Sequence, residues 1–83
     1  MRSERTQVEV IAHFAKDQEA PIPLKVRIIE DGEPVVIKIE KIFSVKPQAY
    51  DAIRYECGFQ RDGCMRRFTL VFWKRDMQWH IEK

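Results

Sequence analysis

The stretch Leu24-Lys25-Val26-Arg27-Ile28-Ile29-Glu30-Asp31-Gly32-Glu33-Pro34-Val35-Val36-Ile37-Lys38-Ile39 decides the fold. An Asp-Gly dipeptide sits at its centre, between two runs in which apolar and polar residues largely alternate. Asp-Gly suits the type I′ turn of a two-residue β-hairpin, whose central residues both need positive φ. Centring the turn there pairs Glu30 with Glu33, Ile28 with Val35, Val26 with Ile37, and Leu24 with Ile39. The aliphatic members of these pairs share one face, because side chains alternate along a strand. Arg27 with Val36 and Lys25 with Lys38 take the other face. A slip of one residue would exchange the two faces, so the apolar pattern pins the register. The like-charged Glu30–Glu33 pair falls beside the turn, where water screens it.

Asp62-Gly63 repeats the test. It sets Phe59 opposite Arg66, Cys57 opposite Phe68, Tyr55 opposite Leu70, and Ile53 opposite Phe72. That face is aromatic and aliphatic except at its tip. The reverse face carries Arg54, Glu56, Gln60, Arg67, Thr69, Val71 and Trp73. A further turn at Arg75-Asp76 aligns Phe72 with Trp79 and Leu70 with Ile81, giving a three-strand meander with one buried face.

Outward from these hairpins the pattern continues. Gln7 to Phe14 reads as a first strand with Val8, Val10, Ala12 and Phe14 inward and Glu9, Ile11 and His13 outward. Lys16 to Ala20 reads as a loop, and Pro21 and Pro23 mark a strand start or edge. The strand after Gly32 runs on through Phe43 to Val45, with a bulge or sharp bend where Glu40-Lys41-Ile42-Phe43 breaks the alternation. Lys46 to Asp51 is a connection with room for a short helical turn. The expected fold is all-β, a single domain over residues 1–83 with residues 1–6 disordered. Its six antiparallel strands form a meander curled into a small barrel or sandwich, which would bury one face of each strand and remove exposed edges.

Composition narrows the function classes. The net charge of +2, from fifteen Lys and Arg against thirteen Asp and Glu, is too even for bulk attraction to a polyanion. No apolar run is long enough for a membrane helix, and the polar start from Met1 to Gln7 does not read as a secretory signal. Cys57 and Cys64 make no disulfide framework, so a cytoplasmic protein is expected. The hairpin register sets these two cysteines about 13 Å apart, beyond disulfide reach, and their spacing matches no zinc motif. His13 and His80 fall on polar parities and would approach each other if the first and last strands pair. Ser3 and Ser44 lie in no nucleophile motif, and neither a phosphate loop nor a paired-carboxylate spacing occurs. Neither enzymatic activity nor a cofactor or metal is expected.

Surface residues carry the remaining signal. Ile29, Pro34 and Val36 make one outward apolar patch, and Val71 with Trp73 makes another; such patches mark a protein partner or self-association. Arg54, Arg67 and Trp73 share the outer face of the second meander, with Arg61, Arg66, Lys74 and Arg75 at its ends. Small β-barrels hold single-stranded nucleic acid with aromatics for stacking and cations for phosphate, although Glu56, Asp62 and Asp76 are interleaved here. The leading expectation is a non-catalytic module that binds a protein or itself through Ile29, Val36, Arg54, Arg67, Val71 and Trp73. The alternative is a small nucleic-acid-binding barrel.

Several short motifs carry a resemblance that spans most of the chain. They are Val10-Ile11-Ala12-His13-Phe14, Ile22-Pro23-Leu24-Lys25-Val26-Arg27, Ile53-Arg54-Tyr55-Glu56-Cys57, Gly63, Arg67-Phe68-Thr69-Leu70 and Trp79-His80-Ile81. Together they resemble short uncharacterised bacterial proteins that carry a domain of unknown function. The proline-marked strand followed by a meander ending in tryptophan is also similar to small domains encoded beside lesion-bypass DNA polymerases in some bacteria. The sequence departs from those domains in having Val26 where they carry an aromatic residue. That second resemblance implies an accessory role in DNA repair.

Overall fold

A computed structural model of the chain describes residues 5–17 and 20–82. It contains strands β1 (Arg5–His13), β2 (Ile22–Glu30), β3 (Glu33–Lys38), β4 (Lys41–Gln48), β5 (Ala52–Arg61), β6 (Cys64–Trp73) and β7 (Gln78–Glu82), with no helix among the described residues. All neighbours are antiparallel, in the order β3-β2-β1-β7-β6-β5-β4. The sheet is curled into an open half-barrel whose core lies on its inner face.

Both Asp-Gly turns take the backbone that the dipeptide favours. Asp31 and Gly32 have φ of 53° and 78°, and Asp62 and Gly63 have 52° and 76°. The registers follow from them: Val26 faces Ile37, Ile28 faces Val35, Cys57 faces Phe68 and Tyr55 faces Leu70. Phe72 opposite Trp79 and Leu70 opposite Ile81 complete the meander. Tyr55, Cys57, Leu70, Phe72 and Val26 are buried together, and the Phe72 and Trp79 rings sit 4.7 Å apart.

Several expectations need correction. The sheet has seven strands, because the run expected to continue from Glu33 to Val45 is broken at Ile39-Glu40. There the Ile39 N–H donates to the Leu24 carbonyl of β2, at 2.9 Å, and the next N–H, of Glu40, donates to the Gly58 carbonyl of β5, also at 2.9 Å. The chain thus passes from one end of the sheet to the other at this corner. The two end strands β3 and β4 do not hydrogen-bond to each other along their length, so the barrel stays open.

Lys46 to Gln48, expected in the connection from Lys46 to Asp51, belong to β4, and a turn at residues 49–51 leads directly into β5. Tyr50 and Asp51 have positive φ there, and Pro47 is tolerated because β4 is an end strand. Arg5 and Thr6, expected to be disordered, pair with Glu82 and Ile81 of β7; Met1 to Glu4 lie outside the described residues.

Leu24 was expected in the core and is 45% exposed. In the β1–β2 ladder Ile11 pairs with Lys25 and Ala12 with Pro23, which leaves Leu24 as the extra residue of a bulge. A second bulge lies at Phe43, since Ile42 pairs with Cys57 and Ser44 with Glu56. It falls within the segment whose alternation fails in the sequence.

Candidate functional site

The outer face of β1, β2 and β3 carries large apolar side chains in water. Ile29 is 66% exposed, Ile11 62% and Val36 61%. The register places them among cations, with Lys25 between Ile11 and Lys38 and with Arg27 opposite Val36. Glu9 approaches Arg27 at 3.8 Å, a loose and exposed pair. Beside this face the far edge of β3 has no strand partner among the described residues. Of the residues singled out in the sequence, Ile29 and Val36 lie here. Ile11 was assigned to the outer parity but not to the patch, because its neighbourhood with Val36 depends on β1 pairing with β2.

Arg54, Arg67, Val71 and Trp73 lie on the outer face of the other half, and they do not form one exposed surface. Val71 is only 4% exposed, which removes it from the expected patch. The Arg54 side chain crosses β6 to reach Glu82 at 3.0 Å and also bonds Glu56 at 3.2 Å, so it roofs over this strand. Thr69 Oγ1 donates to Glu56, completing a polar network across β5, β6 and β7. Trp73 is half-buried and meets His80 edge to face, with ring centres 6.4 Å apart.

Arg67 lies apart from that network, stacked 4.0 Å over the ring of Phe43, with the Lys41 ammonium 5.3 Å from the same ring. Phe43 sits against Gly58, where an added Cβ would come within 2.7 Å of its ring, so glycine makes the close approach possible. Phe43 escaped sequence reasoning. Its signal was an aromatic residue inside a break in alternation.

The groups with chemical potential are scattered. His80 is opposite Gln7 in the β1–β7 ladder, whereas His13 is six residues further along β1. That separation is about 20 Å along the strand, so pairing of the first and last strands does not bring the histidines together. The His80 Nδ1 is buried without a hydrogen-bond partner among the described residues. Cys57 is buried and Cys64 exposed, four pairing steps apart. Burial, with a smaller contribution from the Glu56 charge, pushes the Cys57 thiol up to about 12 and keeps it protonated. No three His, Cys, Asp or Glu side chains gather as a metal site among the described residues.

At the Asp-Gly end the inner face changes from apolar to ionic. Phe59, Phe68, Ile28, Ile37 and Ile81 floor a cleft of about 760 Å³. Arg61, at the tip of β5, grips Glu30, at the tip of β2, with both guanidinium nitrogens, one contact measuring 2.8 Å. This pair joins the two hairpins across the mouth of the half-barrel. It holds the Glu30 carboxyl below its ordinary value, chiefly through the hydrogen bonds from Arg61.

No protein-family model, curated protein or solved structure matches the chain. Among the described residues no helix is long and apolar enough to cross a membrane.

Proposed function

We propose that this chain is a non-catalytic interaction module that binds a protein partner through the outer face and free edge of β1, β2 and β3. One observation carries the reading: Ile11, Ile29 and Val36 are each more than half exposed on one sheet face, beside an end strand with no further strand neighbour among the described residues. A strand edge offers backbone donors and acceptors for an added strand, and alternate side chains of that strand then read the face. Lys25, Arg27 and Lys38 alternate with the apolar groups, so the complementary segment is extended and carries carboxylates between aliphatic residues. Exposed apolar patches of this kind are sparse on proteins that have no partner. The free thiol at Cys64 suits a reducing compartment, and we place the module in the cytoplasm.

Selection from a library of extended peptides tests the reading. It expects alternating apolar and acidic sequences that protect β3 amides from exchange and that fail to bind Val36→Glu. A concentration-dependent dimer abolished by Val36→Glu would mean that a second copy supplies the strand. A chain that binds no such peptide and sediments as a monomer at millimolar concentration would falsify it.

A second reading rests on Lys41, Phe43 and Arg67. Cations around an aromatic ring are the elements with which small barrels hold single-stranded nucleic acid, and the resemblance to domains encoded beside lesion-bypass polymerases points the same way. Against it, Arg54 is already engaged by Glu56 and Glu82. This reading expects salt-sensitive binding of single-stranded oligonucleotides that weakens in Arg67→Ala and Trp73→Ala; no binding at low salt removes it.

A further inference from the structure

The cleft at the mouth of the half-barrel is floored by inner-face residues and reaches, through Glu56, Arg67, Thr69 and Glu82, round the end of β7 to the outer face of the second meander, away from the proposed docking face. Its composition follows from the two Asp-Gly registers. Residues directly opposite each other in an antiparallel pair share a face. Reading outward along the inner face of β5 and β6, Tyr55–Leu70 gives way to Cys57–Phe68, then to Phe59–Arg66, and finally to Arg61–Cys64. On β2 and β3 the same face runs from Val26–Ile37 through Ile28–Val35 to Glu30–Glu33. An apolar floor therefore ends in a charged rim.

The rim charges are not all paired: Glu33, opposite Glu30, and Arg66 have no ion pair among the described residues. Glu30 is committed to Arg61, and Glu56 and Glu82 are committed to Arg54. Asp62 lies beside Arg61 in the turn. Arg66 and Arg67 also line the cleft, and neither meets a carboxylate among the described residues. Arg67 is spent on the Phe43 ring, while Arg66, opposite Phe59 and on the same face as Phe68, has no ion pair among the described residues. An unneutralised guanidinium at the edge of an apolar surface is matched by one planar anion attached to an apolar body. The cleft volume falls within the range of small-molecule sites, and the mouths of β-barrels are a usual place for them.

We propose that this cleft binds an amphipathic carboxylate: an unbranched aliphatic chain of medium length laid on Ile28, Ile37, Phe59, Phe68 and Ile81, with its carboxylate on Arg66. The chain displaces water from the apolar floor, and the carboxylate accepts two parallel N–H bonds. The reading is independent of the docking face, because none of Ile11, Ile29 and Val36 lines the cleft.

Titration of the full-length chain with decanoate, followed by backbone amide NMR, tests it. Saturable shifts at Ile28, Phe59, Phe68 and Ile81 are expected, with decanoate binding more tightly than hexanoate or 1-decanol. Arg66→Ala, an exposed substitution, should keep the dispersed spectrum of the folded chain and weaken decanoate roughly tenfold, the scale of a charge-assisted hydrogen-bond pair. Arg75→Ala, in the exposed turn before β7, should bind as the parent does. The proposal is overturned by absence of saturable binding, by shifts confined to the outer face around Ile11 and Val36, by 1-decanol binding as tightly as decanoate, or by unchanged affinity in Arg66→Ala.

Discussion

Tyr55 does two things at once. Its ring belongs to the inner core against Trp79, with ring centres 5.5 Å apart, and its hydroxyl crosses to the other half of the molecule to donate to the Pro21 carbonyl at 2.5 Å. Pro21 lies just before β2, so this bond ties the β1–β2 side of the half-barrel to β5. Tyr55→Phe keeps the ring and strands a buried carbonyl. The expected cost is about 1–2 kcal/mol, read as a lower urea midpoint with unchanged slope. The same residue predicts an alkaline limb. Burial, with the nearby Cys57 charge, raises the Tyr55 hydroxyl from 10.0 to about 12, and burial raises the Cys57 thiol from 9.0 to about 12. Folding favours the neutral form of both groups. Their contribution is therefore complete below the unfolded values and is lost as pH rises through about 12. The urea midpoint should fall from about pH 9 upward, and Tyr55→Phe should flatten the part of that fall above pH 10. A midpoint constant to pH 12 would sink the assignment.

At the scale of the strand, a single extra residue decides which leucine matters. Leu70 is buried in the centre of β6, whereas the bulge opposite Ile11 and Ala12 turns Leu24 towards solvent. Leu70→Ala should cost about 2–5 kcal/mol, and Leu24→Ala less than about 1 kcal/mol, in the same denaturation experiment. Comparable costs would mean that Leu24 packs inward after all. The pair also marks where the sequence stops being legible. Asp-Gly turns and alternation determine the pairing within each hairpin, because the turn sets the register and only one register buries the aliphatic face. Alternation cannot say which residue will be bulged where no Asp-Gly turn sets the register, and Leu24 and Phe43 both lie in such ladders, β1–β2 and β4–β5. Lost alternation over Glu40 to Phe43 signals a bulge or bend, but the strand break at Ile39-Glu40, where hydrogen bonds pass from Leu24 to Gly58, depends on the curl of the whole sheet. Among the candidate site residues, Ile29 and Val36 were readable from parity because water is the default neighbour of an outer face. Val71 was not: it is 4% exposed, on a strand that the Arg54 side chain crosses from β5 to β7.

The whole molecule is an open sheet whose two ends are joined by the chain itself, and it is drawn together at three places. The corner at Ile39-Glu40 bridges the end strands, Tyr55 spans the core to Pro21, and Arg61 holds Glu30 across the mouth. The first two are built on backbone groups and a neutral hydroxyl; the third is ionic and lies at the hairpin tips, so it responds to acid. Glu30 has a lowered carboxyl value, mainly because Arg61 hydrogen-bonds its charged form, so the tie is complete above the ordinary value of 4.5. It is lost as pH falls through the lowered value. Amide protection factors at the tips, residues 30–33 and 60–64, should therefore hold from pH 7 to pH 5 and drop in acid. Those at Tyr55 and Leu70 should persist, because burial and backbone bonds protect them. Arg61→Gln removes the tie at every pH. The tips should then lose protection at pH 7, and the Glu30 carboxyl carbon should titrate near the ordinary glutamate value. Unchanged tip protection in Arg61→Gln would show that the hairpins are held by packing alone. A drop spread evenly over tips and core would place the ionic pair within the global folding unit, with no local opening of the mouth.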